Sequence, residues 1–326
     1  MPEMTLIDAV RQALYEEMER DPSVIVLGED VGKHGGVFRA TDGLQKAFGE
    51  DRVIDTPLAE LGIAGVAIGA AMNGLRPVAE MQFADYIHPA FDQIVNEAAK
   101  IRYRSNGAFG CPIVVRAPFG AGVHGGLYHS QSVEALFYHV PGLKIVVPST
   151  PYDCKGLLKA AVRDDDPVLF FEHKKSYRRV KGDVPAEEYV LPIGRADVKR
   201  EGSDLSVISY GVGVHLALEA AETLAAEGIS MEILDLRTLA PMDRQAIADT
   251  VRKTNKVLIL HEDNKTGGVG AEVSAFIAEE LFEELDGPIM RVAAADCHIP
   301  YAPSLEAAVI PNTQDVIEAV RKLAAY

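Results

Sequence analysis

Three short stretches carry side chains whose type and spacing suit chemistry. The first, Pro118 to Ser132 (PFGAGVHGGLYHSQS), places four glycines and two histidines in fifteen residues. Such a loop is built for close approach of another group. Histidine is the side chain suited to general acid or base work near neutral pH, so His124 and His129 are candidates for it, although the same pattern also describes solvated loop histidines. The second stretch is centred on Glu60, at the head of the most apolar helical segment, behind Thr56 as predicted N-cap and Pro57 at the first helical position. A first-turn carboxylate is favoured by the helix dipole alone. Covered by a ligand or partner, it would instead hold or share a proton at neutral pH. The third stretch, 80-EMQFADYIHPAFDQI-94, collects Gln82, Phe83, Asp85, Tyr86 and His88 where a strand gives way to a helix. Open α/β sheets bind ligands at strand C-terminal ends, and Gln82 adds a hydrogen-bonding handle to aromatics that otherwise read as core.

The elements that must position these residues are legible in the hydrophobic period. Thr5 opens a helix with Asp8 three residues on, and Leu6, Val10, Leu14 and Met18 line one face. Short apolar strands are predicted at 24–27, 53, 77–81, 113–115, 144–147 and 168–171. Helices fall between them, including one near Asp42–Phe48, one from about Ala59 and a long one over 87–104. Strands alternating with helices predict a parallel sheet covered on both faces. Periodicity stops between Glu172 and Ile193 and restarts at Leu205, with helices near 214–226, 243–254 and 271–285. The expected organisation is α/β, with two three-layer domains. The first spans residues 1–185, a linker 186–200, and a smaller second domain 201–326.

Composition excludes several function classes. At 326 residues, with 48% hydrophobic and 25% charged residues, the chain is neither disordered nor a small disulfide scaffold. Cys111, Cys154 and Cys297 lack a CxxC and read as reduced thiols of a cytoplasmic protein. The longest apolar run, Leu61–Met72, is too short for a membrane span of about 20 residues. The net charge is −16, and residues 201–326 supply −12 of it from 9 basic and 21 acidic side chains. That region repels phosphate backbones and anionic lipids, which disfavours nucleic acid and membranes as partners; the acidic region is either a solvated surface or a docking face for a basic protein. No GxxxxGK[ST] occurs, 211-GVG-213 lacks the third glycine of a dinucleotide turn because position 216 is Leu, and 267-GGVG-270 is equally partial. No HExxH marks a zinc site.

The stretches 28-GEDVG-32, 36-GVFRAT-41, 52-RVIDTPLAE-60, 81-MQFADYIHPAFDQIVNEAAKIRYRS-105, 126-GLYHSQS-132, 148-PSTPYDCKGLL-158 and 235-DLRTLAPMD-243 run nearly end to end. Together they make the chain resemble the beta subunits of thiamine diphosphate-dependent 2-oxo acid dehydrogenases. The resemblance implies a pyrimidine-binding domain with a mainly parallel sheet, followed by a transketolase C-terminal-like domain. It implies that Glu60 hydrogen-bonds a ring nitrogen of the cofactor's aminopyrimidine and so drives proton removal from the thiazolium carbon. Leu58, Gln82 and Tyr86 match positions lining the pyrimidine pocket, and His129 matches the histidine serving acyl transfer to lipoyl. Carbonyls near Ile113, Ala161, Asp164 and Asp166 match a structural potassium site.

Thiamine enzymes anchor Mg²⁺ and the diphosphate through a GDG segment, and this chain contains none. The resemblance implies that an alpha subunit supplies it in an α2β2 heterotetramer, which would dock on a dihydrolipoyl acyltransferase core through a basic subunit-binding domain. The Tyr-His-Ser-Gln-Ser and Gln-Phe-Ala-Asp-Tyr runs look most like the branched-chain members, whereas PSTPYDCKGLL and GEDVGKHGGVFRAT are shared with pyruvate and acetoin enzymes. A non-catalytic scaffold is the reading from another class, and it has no need of both Glu60 and His129.

Overall fold

The computed structural model of the chain describes residues 3–326. Two compact units emerge: 1–119 with 136–193, and 120–135 with 194–326. The first unit is organised by six parallel strands, which we label β1 (Val24–Gly28), β2 (Val53–Asp55), β3 (Arg76–Glu80), β4 (Val114–Phe119), β5 (Lys144–Val146) and β6 (Val168–His173). Their order in the sheet is β5-β6-β4-β3-β1-β2. The strands are buried almost throughout, as expected for a parallel sheet with both faces covered. Helix α1 (Leu6–Arg20) is capped by Thr5, whose hydroxyl accepts the Asp8 N–H at 3.3 Å. Its face of Leu6, Val10, Leu14 and Met18 enters one core with Leu157, Leu158 and Val162 of α3 (Pro151–Arg163).

Helix α2 starts at Glu60 and runs to Met72, with Ala59 as its N-cap and no side-chain cap. The predicted cap is therefore corrected: Thr56 and Pro57 lie before the helix, and the Thr56 hydroxyl is buried without a hydrogen bond. Ile63, Ala64, Ala67 and Ile68 face the core, while Leu61, Val66 and Met72 are exposed. The long helix predicted over 87–104 is also corrected. It is a chain of short turns: 3₁₀ pieces at Ala84–Tyr86, His88–Ala90 and Ala98–Lys100, a π-turn at Gln93–Glu97 and one α-turn at Ile101–Arg104. Pro89 near the start lacks a donor, and the π-turn shifts the hydrogen-bonding register.

Residues 172–193, where the periodicity stops, belong to the first unit. Tyr177 is buried in its core, and Leu191 and Ile193 pack against it. Their apolar positions are spaced irregularly, so no period reveals them.

The second unit holds β7 (Asp197–Arg200), β8 (Leu205–Ser209), β9 (Met231–Asp235), β10 (Val257–Asn264) and β11 (Met290–Ala294) in the order β11-β10-β8-β9-β7. All its neighbours are parallel except the edge pair β9–β7. Helices α4 (Val212–Ala225), α5 (Arg244–Thr254) and α6 (Val269–Glu280) follow strands, and α7 (Pro303–Val309) and α8 (Thr313–Ala324) end the chain. The period missed the last two, although Asn312 and Asp315 form a capping box that announces α8. The loop 120–135, first-domain by sequence order, groups with this second unit because its amides bond to carboxylates there.

Beneath the C-terminal end of the first sheet lies a buried ionic network. Arg116 on β4 is fully buried; its Nη1 donates to Glu80 at 2.6 Å, and its Nε and Nη2 donate to Glu172 at 2.6 and 2.7 Å. Tyr177 donates its phenolic hydrogen to Glu172 at 2.6 Å. Burial, only partly offset by the neighbouring guanidinium, holds the Glu80 carboxyl above its ordinary value, while the two carboxylates hold Arg116 firmly charged. Removing one partner of such a network leaves uncompensated buried charge. Arg116→Met should therefore lose about 3–5 kcal/mol of stability in urea denaturation, and an unchanged unfolding midpoint would show that the network contributes nothing.

Candidate active site

Strands β2, β1 and β3 are neighbours and run parallel, so the segments leaving their C-terminal ends converge. Glu29 follows β1 directly, Glu60 follows β2 after a four-residue turn, and Gln82 and Tyr86 follow β3. Glu29 and Glu60 are each 6% exposed. Desolvation is the main reason the Glu29 carboxyl is pushed up to about 7, reinforced by the negative charges of Glu60, Asp30 and Glu80. Its protonated form donates a hydrogen bond to Glu60, while its Oε1 is buried with no partner. Tyr86 stands close enough to feel both carboxylates: burial, then Asp85, Glu60 and Glu29, raise its phenol. Its ring meets Phe83 edge-on at 5.9 Å, and Phe83 meets Phe38 at 5.4 Å. Leu58, 79% exposed, presents a bare apolar surface in the turn leading to Glu60. The first unit thus brings Glu60 and Tyr86 together and places Leu58 and Gln82 on the adjoining segments. Glu29 lies in the 28-GEDVG-32 stretch, where no motif of its own assigns it a role. Its position directly after an apolar strand was the available signal.

His129 lies in the second unit, half-buried, at the end of a one-turn 3₁₀ helix, Gly126–Tyr128. His124, the other candidate of this loop, is exposed, and its Nδ1 bonds to the buried carboxylate of Glu306. Behind the loop, Glu134 is buried and accepts from Tyr210 at 2.8 Å. Burial and the charge of Asp263 push the Glu134 carboxyl up to about 8. The partial glycine motifs have structural explanations. A Cβ at Gly213 would come within 2.3 Å of the Ser209 hydroxyl, and one at Gly270 within 2.6 Å of the His261 ring.

The proposed potassium residues surround one turn of the first unit. The carboxylate of Asp164 is held by Lys144 at 2.6 Å, that of Asp165 by Arg76 at 2.6 Å, and that of Asp166 by Arg102. The Ile113 carbonyl accepts from Val168 and the Ala161 carbonyl from Asp164. The carboxylates of the turn are each paired with a cationic side chain, and the Asp164 carbonyl also accepts from Arg76 Nη1 at 2.9 Å. Among the described residues no cluster of three or more His, Cys, Asp or Glu side chains could hold a metal ion, and no helix is long and apolar enough to cross a membrane.

Comparison with known proteins adds the family. Residues 2–180 match the transketolase pyrimidine-binding domain, and residues 194–316 match the transketolase C-terminal domain. The chain is 62% identical to the 2-oxoisovalerate dehydrogenase subunit beta of Bacillus subtilis, covering 100% of both chains. It is 49% identical to the pyruvate dehydrogenase E1 component subunit beta of the same organism, covering 99% of each. Among solved structures, a split-gene transketolase described as an inactive beta4 tetramer superposes with a TM-score of 0.80 at 26% identity, over 99% of this chain and 98% of that one. A transketolase mutant from Pichia stipitis gives a TM-score of 0.73 at 13% identity, covering 100% of this chain and 46% of that one, a likeness of fold alone. With two transketolase domains in order and full-length identity to dehydrogenase beta subunits, the chain belongs to the beta-subunit family of the 2-oxo acid dehydrogenases.

Proposed function

We propose that this chain is the beta subunit of a cytoplasmic branched-chain 2-oxo acid dehydrogenase, acting with thiamine diphosphate in oxidative decarboxylation and in acyl transfer to lipoyl groups. The observation that carries this reading is the buried Glu29–Glu60 carboxyl pair at the converging strand ends. The residues fit an aminopyrimidine: Glu60 offers a buried carboxyl to a ring nitrogen, the unpartnered Oε1 of Glu29 marks unspent hydrogen-bonding capacity, and Leu58 and Tyr86 offer apolar and aromatic surface to a flat ring. Gln82 supplies an amide beside them. Bound thiamine diphosphate supplies a nucleophilic thiazolium carbon, and its own chemistry carries the decarboxylation. The chain's part is protonic: Glu60 exchanges a proton with the ring nitrogen, and Glu29, protonated up to about pH 7, stabilises the charge left on Glu60.

Branched-chain 2-oxo acids are the preferred substrate class because identity to the 2-oxoisovalerate relative exceeds identity to the pyruvate relative, 62% against 49%. Among the described residues no cluster of three or more His, Cys, Asp or Glu side chains could hold magnesium, and the sequence has no GDG segment for the diphosphate. Their anchor is assigned to an alpha subunit in an α2β2 assembly, and the exposed Leu61, Val66 and Met72 of α2 suit a face covered by a partner. A potassium ion would be held by carbonyls near Ile113, Ala161, Asp164 and Asp166.

Two variants divide the reaction. Glu60→Gln keeps a hydrogen-bonding group but cannot relay the proton, so hydrogen exchange at the cofactor's thiazolium carbon, measured by NMR in the assembled enzyme, should slow about 10²- to 10⁴-fold. Exchange at the wild-type rate would return Glu60 to a helix-dipole role. His129→Ala should collapse reductive acylation of a lipoyl domain while largely sparing decarboxylation with an artificial electron acceptor; equal losses in both would move His129 to an earlier step.

The −12 balance of residues 201–326 supports docking of a basic domain of the acyltransferase core. Charges at an interface govern encounter and specificity, and the screening length falls from about 30 Å at 0.01 M salt to about 8 Å at 0.15 M. Association measured by calorimetry should weaken steadily across that range; a salt-independent affinity would contradict this docking mode.

A further inference from the structure

The loop carrying His129 is fastened by carboxylates that the proposed chemistry does not use. At its base, the Ala121 N–H donates to Glu262 at 2.7 Å and the Gly122 N–H donates to Oε1 of Glu306 at 2.8 Å. Oε2 of the same carboxylate takes Nδ1 of His124. A carboxylate only accepts, so Nδ1 carries the hydrogen. Glu306 lies on α7 and is 2% exposed. Burying a carboxylate is unfavourable unless its oxygens are used, and both oxygens of Glu306 engage this loop. His124 holds φ at 59°, left-handed backbone that a histidine seldom adopts without a tether.

The rest of the loop transmits this grip. Its neck closes where the Gly120 N–H donates to the Gln131 carbonyl at 3.1 Å. Inside it, the Gly125 N–H donates to the Ser130 hydroxyl at 3.2 Å. The chain doubles back so tightly that a Cβ at Gly125 would lie 2.5 Å from the Cβ of His129. Displacing Gly122 and His124 therefore displaces His129.

We infer that Glu306 is a positioning residue for acyl transfer to lipoyl: by clasping Gly122 and His124 together it fixes where His129 stands. The inference rests on the assignment of His129 to that step. In reductive acylation the dithiolane S–S bond breaks and one sulfur bonds the carbon of the decarboxylated substrate. That carbon's bond to the cofactor then breaks, its electron pair returning to the cofactor, as the substrate hydroxyl loses its proton and becomes the thioester carbonyl. The other sulfur leaves as a thiolate and takes a proton. The two electrons come from the decarboxylated substrate, and the proton comes from the protonated His129 imidazole. A proton donor displaced by about 1 Å can cost about a hundredfold.

The test uses the enzyme assembled with its alpha subunit and saturated with thiamine diphosphate and Mg²⁺. Glu306→Gln and His124→Gly should lower kcat for reductive acylation of a purified lipoyl domain by about 10- to 100-fold, with KM for that domain and acceptor-linked decarboxylation each within about twofold. His124→Gly relaxes the backbone and leaves the buried carboxylate in place, so it tests the clasp in a chain expected to fold. His124→Asn should restore acylation to within about threefold, since asparagine tolerates positive φ and its amide can donate to Glu306. Amide exchange across 120–131 should quicken in Glu306→Gln and His124→Gly and return to normal in His124→Asn. Wild-type acylation by both Glu306→Gln and His124→Gly, with His129→Ala slow, would overturn the inference alone. Wild-type acylation by His129→Ala would overturn the reading of His129 and the inference with it.

Discussion

Carboxyl groups taken out of water at the ends of parallel strands are the constraint on which the first unit depends. Glu29 and Glu60 cannot both ionise cheaply where they lie, so the pair holds a proton that solvated carboxylates would have released. The linkage has a definite sign. The unfolded Glu29 carboxyl releases its proton near 4.5 and the folded one near 7, so this group's contribution to stability declines as pH rises through that interval. The protein tolerates that cost at a site where a proton held near neutrality is useful.

Directly beneath, Arg116 neutralises Glu80 and Glu172 and lets two further carboxylates be buried without protonation of both. Glu80 also contributes to raising Glu29, so the two groups of charges are electrostatically continuous. The parallel sheet is what makes this arrangement available. The central strands are buried on both faces, and β1 and β3 place Glu29 and Glu80 at or just past their C-terminal ends, while Arg116 lies inside β4 and Glu172 near the end of β6. In the second unit carboxylates have a different task. Glu262 and Glu306 are acceptors for loop amides, and they fix backbone where the first unit's acids hold protons.

Much of this was legible in the sequence where physics imposes a period. The alternation of apolar strands with amphipathic helices identified the α/β class, and Asp8 behind Thr5 located the first helix. Glu60 stood out because a charge at the head of an otherwise apolar helix is conspicuous. What escaped lacks a period or depends on contacts distant in sequence. The turns over 84–104 keep helical hydrophobicity while changing hydrogen-bond register at a π-turn. Arg116 sits inside the strand VVRAPF, where no local pattern reveals that Glu80 and Glu172 await it. Glu306, 184 residues from Gly122, could not be joined to it by any spacing rule. The two loop histidines looked equivalent in sequence, and only the fold separates the one clasped by Glu306 from the one presented at the loop's end.

The central claim is that one carboxyl of the Glu29–Glu60 pair holds its proton to neutrality. Carbon-13 NMR or infrared titration of the protein labelled at glutamate carboxyl carbons measures this directly. The account predicts one carboxyl titrating near 7 that disappears in Glu29→Gln and moves to lower pH in Glu60→Gln, because that substitution removes the neighbouring negative charge. A spectrum unaltered above about pH 5.5 by either substitution would contradict it, and with it the reading of this pair as the proton-handling centre.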